Sequence, residues 1–198
     1  MATGPITGLR SFLYGALTEH ANGSVTYEAP KKLAGAISSK VKFNTNSTEL
    51  YSDDVLKYSD YSVSSATLTL GVDEADNAIF SPLLGKKAVT FTDGDGGIHT
   101  TYETSANDII KPVGFGYITS TAEGKYKVLF FKKIKFKPFT EDSQTKGSKV
   151  TFQTPTIEGV ASAIADGSLT SEGVFDTVEL AKEYLESLFV QTPYVPGP

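Results

Sequence analysis

The chain has 198 residues with 12 Phe and 10 Tyr but no Trp and no Cys. That length buries one ordinary core, and the missing cysteines exclude a disulfide framework, a thiolate metal site and a cysteine nucleophile. A formal charge of −5 argues against holding nucleic acid by neutralising its phosphates, though not against a wall past which it slides.

No stretch approaches the ~18 apolar residues that span a bilayer. The opening MATGPITGLRSFLYGAL lacks the basic segment and long apolar run of an export signal. Residues 1–8, with two Gly, a Pro and no periodicity, read as an arm before a single domain over 9–189. Leu9 to Leu17 is a first strand with Phe12, Tyr14 and Ala16 on one side. Asn22-Gly23 marks a tight turn, and Val25 to Tyr27 extends to Pro30. From Lys31 to Phe43, the residues Leu33, Ile37, Val41 and Phe43 keep to odd positions, with the small Gly35 and Ser39 between them. Asn44 to Tyr61 is rich in Asn, Ser and Asp and carries three spaced tyrosines. It reads as the long polar loop of an extended hairpin, and a loop of that length inside one domain is usually a functional extension or a binding loop. Ser62 to Val72 is its second strand.

Asp73 to Gly85 is a helical candidate. Asp73 is the cap and Asp76 lies at the positive end, while Ile79, Phe80 and Leu83 form one face that Pro82 disturbs. Lys86 to Tyr102 predicts a hairpin turning through DGDGG, and Ser105 to Lys111 a loop. In Val113 to Ile118, Gly114 and Gly116 share one face, which predicts a bulky ring or a backbone packed close. From Gly124 the alternation is longest. Tyr126, Val128, Phe130, Ile134 and Phe136 take one side, and Lys125, Lys127, Lys133, Lys135 and Lys137 the other. Lys132 marks a bulge or a strand end reaching solvent, and Pro138 ends the run. A polar loop from Thr140 to Lys146 and Gly147 leads to a return strand at Val150, Phe152 and Ile157. Residues 160–173 are small and Gly/Ser-rich. Asp176 and Glu179 then form a capping box, Phe175 staples onto Leu180, and Val178, Ala181, Leu185 and Leu188 give a stripe for a helix over about 177–189. The tail 190–198 has three prolines in its last six residues and reads as extended.

Catalytic chemistry is hard to place on this chain. Neither His20 nor His99 has a partner at metal-ligand spacing. A calcium loop starting at Asp93 would need an acid where Thr104 stands. Gly85-Lys86 and Gly114/Gly116 lack the remaining residues of phosphate and dinucleotide loops. No segment presents the carboxylate pair of a glycosidase. No enzyme, cofactor or metal is expected. The lysine strand reads as a wet or subunit-contact face, because its surroundings are acidic. Tyr51, Asp53, Asp54, Tyr58 and Tyr61 are the candidate subunit contacts.

Four blocks carry a likeness to a known family: GLRSFLYGALTE (8–19), VTYEAPKKLAGAISSKVKFNTNSTELYSDD (25–54), GKYKVLFFKKIKFKPFTEDSQTKGSKVTFQTPTIEG (124–159) and VFDTVELAKEYLESLF (174–189). In this order, with the Tyr-x-x-Pro-Lys start and Tyr-x-Asp-Asp end of the second, they resemble the major tail proteins, or tail tube proteins, of long-tailed phages infecting Gram-positive bacteria. The chain departs from that pattern at Gly85 to Ile110, which is enlarged and Gly/Asp-rich, and after Phe189. The resemblance implies a mainly β sandwich or half-barrel with one or two helices, the C-terminal one packed on its side. It implies a virion subunit, made in the host cytoplasm, that forms six-membered rings stacked into a tube. The partners would be further copies, a tape-measure protein, and tail-terminator and distal tail proteins. DNA would pass through the lumen without specific binding, along walls of Thr, Ser, Asp and Glu that repel phosphate. The lysine strand would then face outward or a neighbour, and the hairpin around 44–61 would contact adjacent subunits. Two other readings are a monomeric β-sandwich binding cell-surface carbohydrate, with an aromatic cleft and no self-assembly, and the tube protein of a contractile injection system.

Overall fold

The computed structural model describes residues 4–138 and 154–190. Along them run β1 (Ile6–Glu19), β2 (Val25–Tyr27), β3 (Lys31–Lys32), β4 (Ala36–Ser52), β5 (Val55–Val72), α1 (Asn77–Leu83), β6 (Lys87–Thr92), β7 (Ile98–Glu103), β8 (Val113–Thr121), β9 (Tyr126–Phe136), β10 (Thr156–Ser162), β11 (Thr170–Phe175) and α2 (Val178–Ser187). One sheet takes the order β2-β1-β8-β9-β10-β5-β4, with β3 added on β1 and β11 on β9. All of its pairings are antiparallel. The hairpin β6–β7 stands apart from it. The fold is mainly β and sandwich-like, with a C-terminal helix, as the sequence predicts.

The sheet curls around one core. Phe12 of β1, Leu68 and Leu70 of β5, Phe115 of β8, Phe131 and Ile134 of β9 and Ile157 of β10 all enter it, closed by Leu33 and by Phe80 of α1. Residues 31–36 bridge the open side. The Leu33 amide donates to the Phe12 carbonyl and the Asp73 amide to the Gly35 carbonyl, at 2.9 and 3.1 Å. On the opposite face of β8 and β9, the helix α2 lays Ala181 and Leu185, followed by Leu188 and Phe189, on Ile118, Val128 and Phe130. Phe189 meets Phe130 edge-on at 5.0 Å and Tyr27 at 5.9 Å. The two glycines of β8 leave room for this layer. A Cβ on Gly114 would lie 2.6 Å from the Tyr27 ring, and one on Gly116 2.5 Å from Leu185. The Tyr27 hydroxyl, whose pKa is pushed upward chiefly by burial, donates to the Lys132 carbonyl at 2.8 Å.

Several expectations need correction. Strand β1 already begins at Ile6, so the arm expected over 1–8 gives up its last three residues to the sheet. Strands β10 and β11 take the two ends of the Gly/Ser-rich 160–173, for which the sequence predicts no element. The cap of α1 is Asp76, which accepts from the Ala78 amide at 2.8 Å; Asp73 instead accepts from the Gly35 amide across the chain at 2.6 Å. The cap of α2 is Thr177, accepting from the Leu180 amide, while the Asp176 carboxylate is drawn to the Lys125 ammonium. Phe175 packs on Tyr184 at 4.9 Å, and Leu180 is exposed. The loop 140–146 with Gly147, the strand opening at Val150 and Phe152, and the tail from 191 onward lie outside the described residues.

Strand β9 does not keep its apolar residues on one side. Phe115 faces Phe131 and Val113 faces Ile134, so β9 spends an extra residue at Lys132–Lys133. Such a bulge exchanges the two faces. Val128 and Phe130 therefore lie under α2, while Phe131, Ile134 and Phe136 enter the main core.

Candidate subunit interface

Strand β10 covers β5 from Ser65 to Gly71. Beyond Ser65, among the described residues, β5 has only β4 beside it, and their pairing continues from Asn44↔Ser65 out to Ser52↔Val55. The segment expected as a polar loop is thus paired to its tip, a two-stranded arm. At about 3.4 Å per residue, residues 45–52 carry it roughly 27 Å past the body of the sheet. Asp53 and Asp54 close it, with φ of 54° and 60°. These are the left-handed values a two-residue hairpin turn favours and which Asp tolerates better than most side chains.

The register shows what the arm presents. Residues opposite one another in an antiparallel pair share a face. In β4, Val41 and Phe43 face the core row of β5 at Leu68 and Ala66. The odd positions beyond them meet Val63 (from Thr45), Tyr61 (from Ser47) and Leu56 (from Tyr51). The core-facing row therefore runs off the end of the body and continues along the arm, where Phe43, Val63, Tyr61, Tyr51 and Leu56 are exposed. The opposite face carries Leu50 across from Tyr58, and Val55, all exposed. An isolated two-stranded ribbon with apolar side chains on both faces is marginal in water, and a patch of this kind marks a contact surface.

All five residues expected at the interface lie on this arm, but not in one cluster. Tyr51 and Tyr61 share one face, Tyr58 takes the other, and Asp53 and Asp54 form the tip. The Tyr51 hydroxyl donates to the Glu49 carboxylate at 2.8 Å, which raises the pKa of the phenol. Glu49, Asp53, Asp54 and Asp60 against Lys57 make the arm acidic. Sequence reasoning missed Phe43, Leu50, Val55, Leu56 and Val63. Their signal was scrambled because β5 has an extra residue at Ser64 and another at Lys57, so the apolar row changes parity twice, from Leu56 to Tyr61 and Val63 and then to Ala66.

The lysine strand is largely neutralised. Lys125 pairs with Asp176, Lys127 with Glu172 at 2.8 Å, Lys133 with Glu19 at 2.8 Å, Lys137 with Glu158 at 3.2 Å, and Lys132 approaches Asp166 at 3.9 Å. A stripe whose charges are answered locally has little left for phosphates.

Among the described residues no group of three or more His, Cys, Asp or Glu is placed to hold a metal ion. Nor is any described helix long and apolar enough to cross a membrane. The Asp93 carboxylate of the DGDGG turn accepts from His99 at 2.7 Å and from the Gly97 and Asp95 amides, as a hairpin turn requires. No protein-family model matches the chain, and no curated protein matches it.

Proposed function

We propose that the chain is a structural subunit that assembles into rings stacked as a tube, the tail tube of a long-tailed phage. The observation that carries this reading is the arm, whose apolar row continues the core beyond the body and whose two faces both lack cover among the described residues. A chain with such a protrusion gains most by burying it in a neighbour. A head-to-tail contact between unlike surfaces closes into a ring under rotation and repeats into a filament when stacked. The long outer edge of β4 adds unpaired backbone that a second copy can satisfy. In this reading the tube conducts DNA by presenting walls to which phosphate does not stick, and the work is electrostatic and steric with no bond chemistry. The tape-measure, terminator and distal tail proteins are its further partners, and the virion its place.

Negative-stain electron microscopy of the purified chain at rising concentration, beside light scattering, tests this. Rings or hollow tubes of uniform width are expected. A monomer at every concentration that binds cell-wall carbohydrate would replace this reading with that of a binding module.

A further inference from the structure

The molecule has a second protrusion, and it supplies what a head-to-tail contact needs: a surface unlike the first. Among the described residues, strands β6 and β7 pair only with each other, from Lys87↔Glu103 to Thr92↔Ile98. Phe91 and Ile98 on this hairpin are exposed, as is Ile109 at its base. The base is held firmly. The Lys86 amide donates to the Ser81 carbonyl at 2.9 Å and the Lys111 amide to the Leu83 carbonyl at 3.3 Å. Gly85, with φ of 76°, lies so close to Ile109 that a Cβ there would sit 2.4 Å from its carbonyl oxygen. These contacts gather Lys86, Lys87 and Lys111 beside Ile109. Among the described residues none of the three has an ion pair, although Glu103 stands opposite Lys87 in the hairpin; on β9, by contrast, Lys127, Lys132 and Lys133 are each paired. The far end of the hairpin is acidic, through Asp93 and Asp95.

We propose that the arm of one copy docks along the β6–β7 hairpin of the next, its Asp53–Asp54 tip against the lysines at the hairpin's base. This rests on the self-assembly reading and names the partner surface of the arm. The charges allow one direction only, since the reverse alignment would bring two acidic tips together. The match is apolar as well as electrostatic. Leu50, Val55 and Tyr58, on one face of the arm near its tip, meet Phe91, which shares the face of Lys87, and Ile109 at the hairpin's base. A second cationic pair, Lys40 and Lys42 on β4, offers charge without that complement, for it lies in rows with Thr69 and Thr67 and beside Glu158.

The chain has no cysteine, so introduced thiols report without background. A chain carrying Asp54→Cys and Lys87→Cys should form disulfides between copies in assembled material. A chain carrying Asp54→Cys and Lys40→Cys should not. Assemblies that form without the first cross-link, or with the second in its place, overturn this docking while leaving the ring reading intact. Failure of the parent chain to associate at all overturns both. Charge reversal supplies a second readout. Asp53→Lys with Asp54→Lys, or Lys86→Glu with Lys87→Glu, should raise the concentration needed for assembly by about tenfold or more. All four together should return it close to that of the parent. If the combined variant assembles no better than either half, the pairing is wrong.

Discussion

Replacing Tyr51 and Tyr58 with Ser separates a folding role for the arm from an assembly role. The two rings are 57% and 71% exposed, so neither contributes much to the core of the isolated chain. An aromatic side chain that buries about 200 Å² would leave roughly 115 and 140 Å² of these tyrosines to be covered by a neighbour. At about 25 cal/mol per Å² that is roughly 6 kcal/mol for the pair. Ordering and desolvation consume part of any such gain. Half of it, about 3 kcal/mol, still changes an association constant by more than a hundredfold. The double variant should therefore melt within about 0.5 kcal/mol of the parent, as expected for exposed positions away from special features. Its onset of assembly by light scattering should rise by about two orders of magnitude. Normal tubes at the parent's concentration would refute the reasoning. So would a large loss of monomer stability, because the tyrosines would then be holding the fold itself.

Asp54→Gly should relieve a left-handed residue and one of two adjacent charges at the arm tip, worth about 1 kcal/mol; slower amide exchange along 45–63 is the readout, and unchanged or faster exchange would contradict it. Phe189→Ala removes the ring wedged against Phe130 and Tyr27 and should cost about 3–5 kcal/mol in denaturant unfolding. A loss below about 1 kcal/mol would mean that α2 does not clamp the sheet. The Asp93 carboxyl is held below its usual pKa, first by the His99 hydrogen bond and then by the Gly97 amide. A depressed carboxyl stabilises the fold above its unfolded value near ~4 and loses that contribution as pH falls through the folded value. Asp93→Asn should therefore flatten the acid side of the stability curve, and an unaltered acid side would show that the turn contributes nothing there.

Where one face of a strand is buried without interruption, the sequence was a good guide. The apolar row Ala66, Leu68, Leu70 and the glycines of β8 under Tyr27 and Leu185 are where alternation and small residues pointed. The β6–β7 turn and the stripe of α2 were equally legible. Bulges defeated the same reasoning. The irregularity signalled by Lys132 is there, but its extra residue moves Ile134 and Phe136 to the face opposite Val128 and Phe130. At Lys57 and Ser64 the same device made a paired arm look like a polar loop, because no fixed period of two links Leu56, Tyr61 and Ala66. Helix caps failed for a different reason. Asp73 and Asp176 have the right chemistry, but tertiary partners, the Gly35 amide and the Lys125 ammonium, claim their carboxylates first. Of the interface, composition pointed to the tyrosines and the acidic tip. The apolar row that makes the arm a contact surface needed the register.

In the tube reading the arm is covered when copies meet. Amide hydrogen exchange across residues 44–64, in the dilute chain and again in assembled material, tests it most directly. Ready exchange is expected along the arm in the dilute chain, because among the described residues only the β4–β5 pair protects it, and a slowing of at least tenfold on assembly, more than one kcal/mol of added protection. Assemblies whose arm exchanges as fast as that of the dilute chain would contradict it and place the contact elsewhere.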